Sequence, residues 1–195
     1  VKSESERADP HPVYREFMKH RVSSTFAREE VREEVVPVYM GLIKQIDDQL
    51  GVLFKFMEEN KLMENTMIVF TSDHGDYLGD HWLGEKELFH DQSVRIPLIV
   101  YDPREAADAT RGTVSDALVE AIDLAPTFLE AIGAPVPGHI LEGRSLTPLL
   151  HGAEAERWRD FAISEYDYSA TAMAASLGLA PRDARLFMVA TERWK

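Results

Sequence analysis

"NTMIVFTSDHGDYLGDHWLGEK", Asn65 to Lys86, decides how this chain is read. Residues 66–71 carry apolar side chains in succession rather than in alternation. That pattern belongs to a strand covered on both faces, as in the parallel sheet of an α/β protein. The run then breaks into Ser72, Asp73, His74 and Gly75, with Asp76, Asp80, His81 and Lys86 close behind. In open α/β sheets ligands bind beyond the carboxyl ends of the strands, so this chemistry stands where a site is expected. Inside a strand Asp73 and His74 would face opposite ways; past its end they can converge. Gly75 is expected to supply the unusual backbone angles of a sharp turn.

Working outward, Tyr39, Ile43, Ile46, Leu50, Leu53 and Met57 recur at spacings of four and three. They predict a helix over 35–60 with one apolar stripe and with Pro37 in its first turn. Gly41 and Gly51 each weaken such a helix by about 1 kcal/mol relative to alanine, which predicts close packing against a neighbour there. Downstream, "RIPLIVY", 95–101, is a second buried-type run, with Pro97 confined to its start. Strands 66–71 and 96–101 are therefore expected side by side in a mainly parallel sheet, with the 35–60 helix on one face and the sheet incomplete. Residues 1–33 read as a loop or short helix, and 113–122 as a weak strand or turn. Asp123 as N-cap, Pro126 in the first turn and Gly133 past the end mark another helix. Ser145 and Gly152 bracket a short one. Runs 161–166 and 185–191 read as strands, the second continuing toward Lys195. The chain is thus divided into a lead-in, 1–34, part of an α/β domain, 35–152, and the start of a small α+β C-terminal subdomain, 153–195.

Composition narrows the function classes. Of the 195 residues 45% are hydrophobic, enough for a globular core, and there is no cysteine. That removes disulfides, thiolate metal sites and a cysteine nucleophile within the chain. The formal net charge of −13, with no basic stripe, argues against nucleic acid and against an anionic membrane surface. No apolar run is long enough for a transmembrane helix. An anionic substrate would need the field reversed locally, and a bound cation with a well-placed lysine would do that.

Carboxylate and imidazole side by side suit a divalent cation, Mn²⁺ or Zn²⁺ more naturally than Mg²⁺ or Ca²⁺. An EF-hand loop counted from Asp73 fails, because Leu78 and Gly84 stand where it needs glycine and glutamate. His74 and His81 do not form the H-E-x-x-H zinc pattern. From spacing alone Asp73 also reads as a helix N-cap or turn residue, and His74 as a surface histidine. Two ligands do not make a site, so others must come from elsewhere.

The residues themselves say more. "NTMIVFTSDHGDYLGDHWLGEK" resembles the sulfatase family of the alkaline-phosphatase superfamily, which includes arylsulfatases and phosphonate monoester hydrolases. "YMGLIKQIDDQLGVLFKFMEENKLMENTMIVFTSDHG" is similar to that family's helix-then-strand approach to the site, and "RIPLIVYDP" to the strand that follows. "VEAIDLAPTFLEAIGAPVP" and "LEGRSLTPLLHG" are similar to its later segment, and "ISEYDY" and "ATERWK" to the start of its C-terminal subdomain. The resemblance implies an alkaline-phosphatase-like, mainly parallel sheet flanked by helices, present in part. It implies Asp73 and His74 as two ligands of one divalent metal, Mn²⁺ or Ca²⁺. Many sulfatases have asparagine after the aspartate; His74 resembles the phosphonate and phosphodiester hydrolase branch, where Mn²⁺ is typical. Lys86 takes the place of the lysine that grips the anionic oxygens of the sulfate or phosphoryl group. For Asp76, Asp80 and His81 the expectation is hydrogen bonding to the metal ligands or structuring of the loop, and for Trp82, Leu83 and Phe89 packing of the loop or lining of the substrate entrance.

The family's nucleophile is a formylglycine made in a C/S-x-P-x-R motif, or a Ser or Thr, in the N-terminal half. No C/S-x-P-x-R occurs here; "YDPRE" and "LAPRD" have only the Pro-Arg. The expectation is the C-terminal part of an ester hydrolase acting on small anionic esters, inactive and weak in metal binding by itself, with a histidine as general acid that the sequence does not assign to His81 or His90. A homo-oligomer is compatible with all of this. The rival expectation is a non-catalytic relative that binds a metal or an anion.

Overall fold

The computed structural model describes residues 2–153 and 158–194. The chain divides into two compact units. One comprises 1–55, 74–96 and 165–187; the other comprises 56–73, 97–164 and 188–195. Among the described residues no helix is long and apolar enough to cross a membrane.

The lead-in is helical. Helices α1 (Glu4–Ala8), α2 (Pro12–Met18) and α3 (Arg21–Phe26) precede the long helix α4, Glu29–Glu59. Helix α4 starts six residues before the expected position, and Pro37 lies inside it rather than in its first turn. Glu29 and Glu30 occupy that first turn instead, where carboxylates favour the positive end of the helix dipole. The apolar stripe exists but is open: Tyr39, Ile43, Ile46 and Leu53 are exposed, and Met57 is the buried residue of the helix. Nothing lies within 4 Å of a side chain placed at Gly41 or Gly51, so the close neighbour expected there is absent from the described residues.

In the first unit the core is apolar. Val13 and Phe17 of α2 pack with Tyr77, Leu83 and Leu88 of the 74–96 segment and with Tyr168, Ala174 and Ala184 from the C-terminal region. Ala174 belongs to α8, Ala172–Ser176.

The second unit holds strands β1 (Ile68–Thr71) and β2 (Leu98–Tyr101) side by side, as expected, but antiparallel. Ile68 pairs with Tyr101 and Thr71 with Leu98, so the end of β1 meets the start of β2. A parallel pair needs a crossover, usually a helix, to return the chain to the same end of the sheet. The connection has only a 3₁₀ turn, Asp80–Trp82, and the four-residue helix α5, Asp91–Val94, so β2 sets out from where β1 stopped. Coverage on both faces is also not seen: Ile99 is 64% and Phe70 37% exposed.

The rest of this unit is organised by buried carboxylates. Asp102, just past β2, accepts hydrogen bonds from Arg104 and from His151 Nε2 at 3.1 Å. Asp123 precedes α6, Leu124–Ala131, but does not cap it with its side chain. It accepts instead from the Glu120 and Arg144 amides, each at 2.8 Å, and from both terminal nitrogens of Arg159 at 2.6 and 2.7 Å. Gly133 follows α6 at φ 70°, a conformation that favours glycine. Helix α7 spans Thr147–Leu150, its Thr147 amide donating to Ser145 Oγ at 3.2 Å. Residues 113–120 form no strand, and a 3₁₀ turn occupies Ala121–Asp123. Strands β3 (Phe161–Asp167) and β4 (Arg185–Thr191) form a second two-stranded sheet, as read from the sequence. The expected continuation toward Lys195 stops at Thr191, and Lys195 itself lies outside the described residues.

Candidate active site

Asp73 and His74 lie just past β1, in the position that the sequence predicts for a site. Asp73 ends its segment of the second unit and is exposed; His74 opens the 74–96 segment of the first unit. Within the first unit His74 and Lys86, twelve residues apart in sequence, come together. Lys86 Nζ stands 2.9 Å from His74 Nε2. His74 Nδ1 is 2.7 Å from the Gly75 carbonyl oxygen. A carbonyl oxygen only accepts, so Nδ1 carries the proton, and Nε2 of the neutral ring is left with its lone pair facing the lysine.

The backbone around this pair is held tightly. The Gly75 amide donates to the Ser93 carbonyl at 2.8 Å, and Ser93 Oγ donates to the Lys86 carbonyl. Buried Ser93 thus ties both ends of the loop together. Gly75 is required for space rather than for its angles: a Cβ there would sit 1.9 Å from the Gln92 carbonyl oxygen, and its φ is not in the left-handed region. That corrects the turn role expected of it.

Between these ends the chain winds on itself. The Tyr77 amide donates to Glu85 O and the Gly79 amide to Leu83 O, each at 2.9 Å. Among the described residues six non-glycines have positive φ, and five of them, Leu78, His81, Trp82, Glu85 and Leu88, fall in this segment. Each costs about 1–2 kcal/mol, and such strain collects at functional sites where the surroundings over-determine it. The surroundings here are Tyr77, Leu83 and Leu88, almost fully buried, together with Arg32 of α4. Arg32 donates to the Leu78 carbonyl and to Asp80 Oδ1, both at 2.9 Å. Asp76 receives the Leu78 amide at 2.8 Å, and Asp80 also receives Gln92 Nε2 at 3.1 Å. Burial raises the Asp76 carboxyl above its ordinary range, against the lowering effect of that amide bond. Asp76 and Asp80 therefore hold the loop, and Leu83 packs it. Trp82 Nε1 donates to Ser3 O at 2.9 Å, while the Arg7 guanidinium lies over its ring.

Sequence reading missed Arg32 and Ser93 as the loop's anchors. Arg32 is one basic residue in a charged lead-in and Ser93 one small residue before a strand, so neither carries a local signal.

The family described as Sulfatase matches residues 7–134, and that described as N-sulphoglucosamine sulphohydrolase, C-terminal, matches 79–195. The multifunctional alkaline phosphatase superfamily protein PehA of Trinickia caryophylli is 34% identical over 172 residues, 83% of this chain and 33% of that protein. An arylsulfatase of Clostridium perfringens is 34% identical over 130 residues, 67% of this chain and 27% of its own. The phosphonate monoester hydrolase of Silicibacter pomeroyi superposes with a TM-score of 0.74 at 32% identity, over 80% of this chain and 31% of that one. The chain spans about a third of the length of the curated relatives it matches. By sequence match and by the α/β architecture of its structural neighbours, this chain belongs to the sulfatase family of the alkaline-phosphatase superfamily.

Proposed function

We propose that this chain is the C-terminal part of a metal-dependent hydrolase of sulfate or phosphate/phosphonate esters. In this reading Asp73 and His74 supply two ligands of one divalent metal, and Lys86 grips the anionic oxygens of the substrate. The observation that carries it is the 2.9 Å approach of Lys86 Nζ to His74 Nε2. The Gly75 carbonyl fixes the tautomer that leaves Nε2 as the acceptor, so the nitrogen that now accepts from Lys86 is the one a metal would take, and metal binding would release the ammonium toward an anion. An exposed carboxylate next in sequence adds an oxygen donor, and one imidazole with one carboxylate fits Mn²⁺, with Ca²⁺ the other candidate. These two residues fit part of the ion's shell, with its other ligands expected from elsewhere in the enzyme, and the ion when bound would supply positive charge to polarise the ester and offset charge on its oxygens.

The remaining steps belong to the side chains. Lys86 is a compact ammonium on a backbone fixed by Ser93, suited to stabilise charge shifting onto an equatorial oxygen. Its attraction for an anion is what the protein's net charge of −13 otherwise opposes. The attacking group, expected as a formylglycine, is placed in the N-terminal part of the full-length enzyme, since this chain contains no C/S-x-P-x-R motif. The partners are small anionic esters, with no nucleic acid. Histidine at 74, where many sulfatases have asparagine, favours phosphonate monoesters and phosphodiesters over aryl sulfates. The rival reading, a non-catalytic metal or anion binder, has no observation of its own in its favour.

A panel of phosphonate monoester, phosphodiester and aryl sulfate substrates, run on the full-length enzyme, tests this. Turnover should be fastest with the phosphorus esters, abolished by chelator and restored by Mn²⁺. Absence of turnover on every member would overturn the hydrolase reading.

A further inference from the structure

A second cluster of metal-type ligands lies in the first unit, apart from His74 and Lys86. Glu6 of α1, His81 of the 3₁₀ turn and His90, just before α5, place one ligand atom each within 4.8 Å of one another. Glu6 Oε1 is 2.7 Å from His81 Nδ1 and 3.6 Å from His90 Nε2. The two imidazoles are stacked, centroids 3.7 Å apart and planes 9° from parallel. Donors around a tetrahedral zinc ion with bonds of 2.0–2.1 Å lie about 3.3 Å apart, so the two distances to Glu6 straddle what an ion would set.

The surroundings resemble those of a ligating histidine. Tyr77 OH lies 3.1 Å from His90 Nδ1, and Tyr14 OH lies 2.7 Å from Nδ1 and 2.8 Å from Nε2, so an ion at Nε2 would displace Tyr14 from that nitrogen and leave Nδ1 to the phenols. A histidine that binds metal through one nitrogen usually donates its other N–H to an oxygen, which fixes its tautomer and orientation. His81 is held toward Glu6 from a left-handed backbone position, φ 55°. All three ligand side chains are partly exposed, so an ion has access.

We propose that Glu6, His81 and His90 form a second divalent metal site, filled by Zn²⁺ and separate from the Asp73 and His74 ligand pair. Two imidazoles and a carboxylate suit Zn²⁺, and a fourth position is left to water. Binding splays the stacked rings and replaces the Glu6–His81 hydrogen bond with two coordinate bonds to the same ion. The ion staples α1 to the loop that carries Lys86. Its role is to hold that loop, through residues 75 and more apart in sequence.

The test uses this chain carrying Asp73→Ala, so that the other proposed site has lost a ligand. Zn²⁺ is titrated by calorimetry, and Co²⁺ is used as a spectroscopic probe of four-coordinate geometry. The expected result is one ion per chain and a rise in melting temperature. Glu6→Gln and His81→Gln should each weaken binding by more than about tenfold, and Tyr77→Phe by about tenfold through loss of one of the two hydroxyl partners of His90. Circular dichroism checks that the variants fold; Glu6→Gln, on the short first helix, carries the test if His81→Gln does not. Zn²⁺ affinity unchanged by Glu6→Gln, or no saturable uptake, would overturn the proposal. Neither outcome bears on ester hydrolysis at Lys86.

Discussion

The two units bury different chemistry. The first closes around Phe17, Tyr77, Leu83, Leu88 and Tyr168, side chains with little to lose in leaving water. The second buries Asp102 and Asp123, charges that stay buried only because arginines and amides meet them. An apolar core tolerates pH but is sensitive to lost volume. A carboxylate hub is sensitive to protonation, because each hydrogen bond it accepts depends on the charge. The strained loop with Lys86 draws on both kinds of support, because Tyr77, Leu83 and Leu88 pack beneath it while Asp76 and Asp80 accept its hydrogen bonds.

The strongest attack on that contrast is Leu83→Ala. Leu83 is 1% exposed and packs beneath the loop, so the change should cost about 2–5 kcal/mol of stability. Urea denaturation reads it, and a cost below about 1 kcal/mol would mean that the loop is not held by this core. Acid titration probes the second unit. Burial alone would raise the Asp102 carboxyl, but hydrogen bonds from Arg104 and His151 outweigh it and hold it at about 2. A folded value below the unfolded one contributes stability that is present above about pH 4 and lost as pH falls toward 2. The loss should be about 2 kcal/mol, and Asp102→Asn should flatten the pH dependence of stability over that interval. A profile unchanged by Asp102→Asn would remove the hub from the account. The smallest effect is expected at Leu53→Ala on α4. Leu53 is 47% exposed, and truncation should change stability by less than about 0.5 kcal/mol. A larger loss would show that the apolar stripe of α4 is covered in solution.

Much of the fold was legible because the chain punctuates itself. The runs at 66–71, 95–101, 161–166 and 185–191 became β1 to β4, and Pro126 with Gly133 bounded α6. The direction of pairing between β1 and β2 was not legible, since local pattern reports burial and not which way a neighbour runs. Apolar residues on both faces of β1 announced a covered strand, yet Phe70 and Ile99 are open. The start of α4 was missed because Glu29 to Glu34, Val31 apart, are charged and Pro37 imitated a first-turn proline. At the site Asp73, His74 and Lys86 stood out by residue type within one short stretch. Glu6 and Tyr14 did not, because they meet His81 and His90 from 75 and 76 residues away. Asp123 looked like a helix cap and is instead a hub for Arg159, a partner that no local spacing reveals.

The proposed role of Lys86 is tested most directly by steady-state kinetics of Lys86→Ala in the full-length enzyme. Lys86 is exposed and its backbone is fixed by Ser93, so the substitution should leave the fold intact. If its ammonium meets charge that grows in the transition state, kcat falls by about 10²–10³-fold while KM changes little. Lys86→Arg should restore little, because a planar fork does not replace a compact ammonium. A rise in KM with kcat intact would make Lys86 a ground-state anchor and contradict the account.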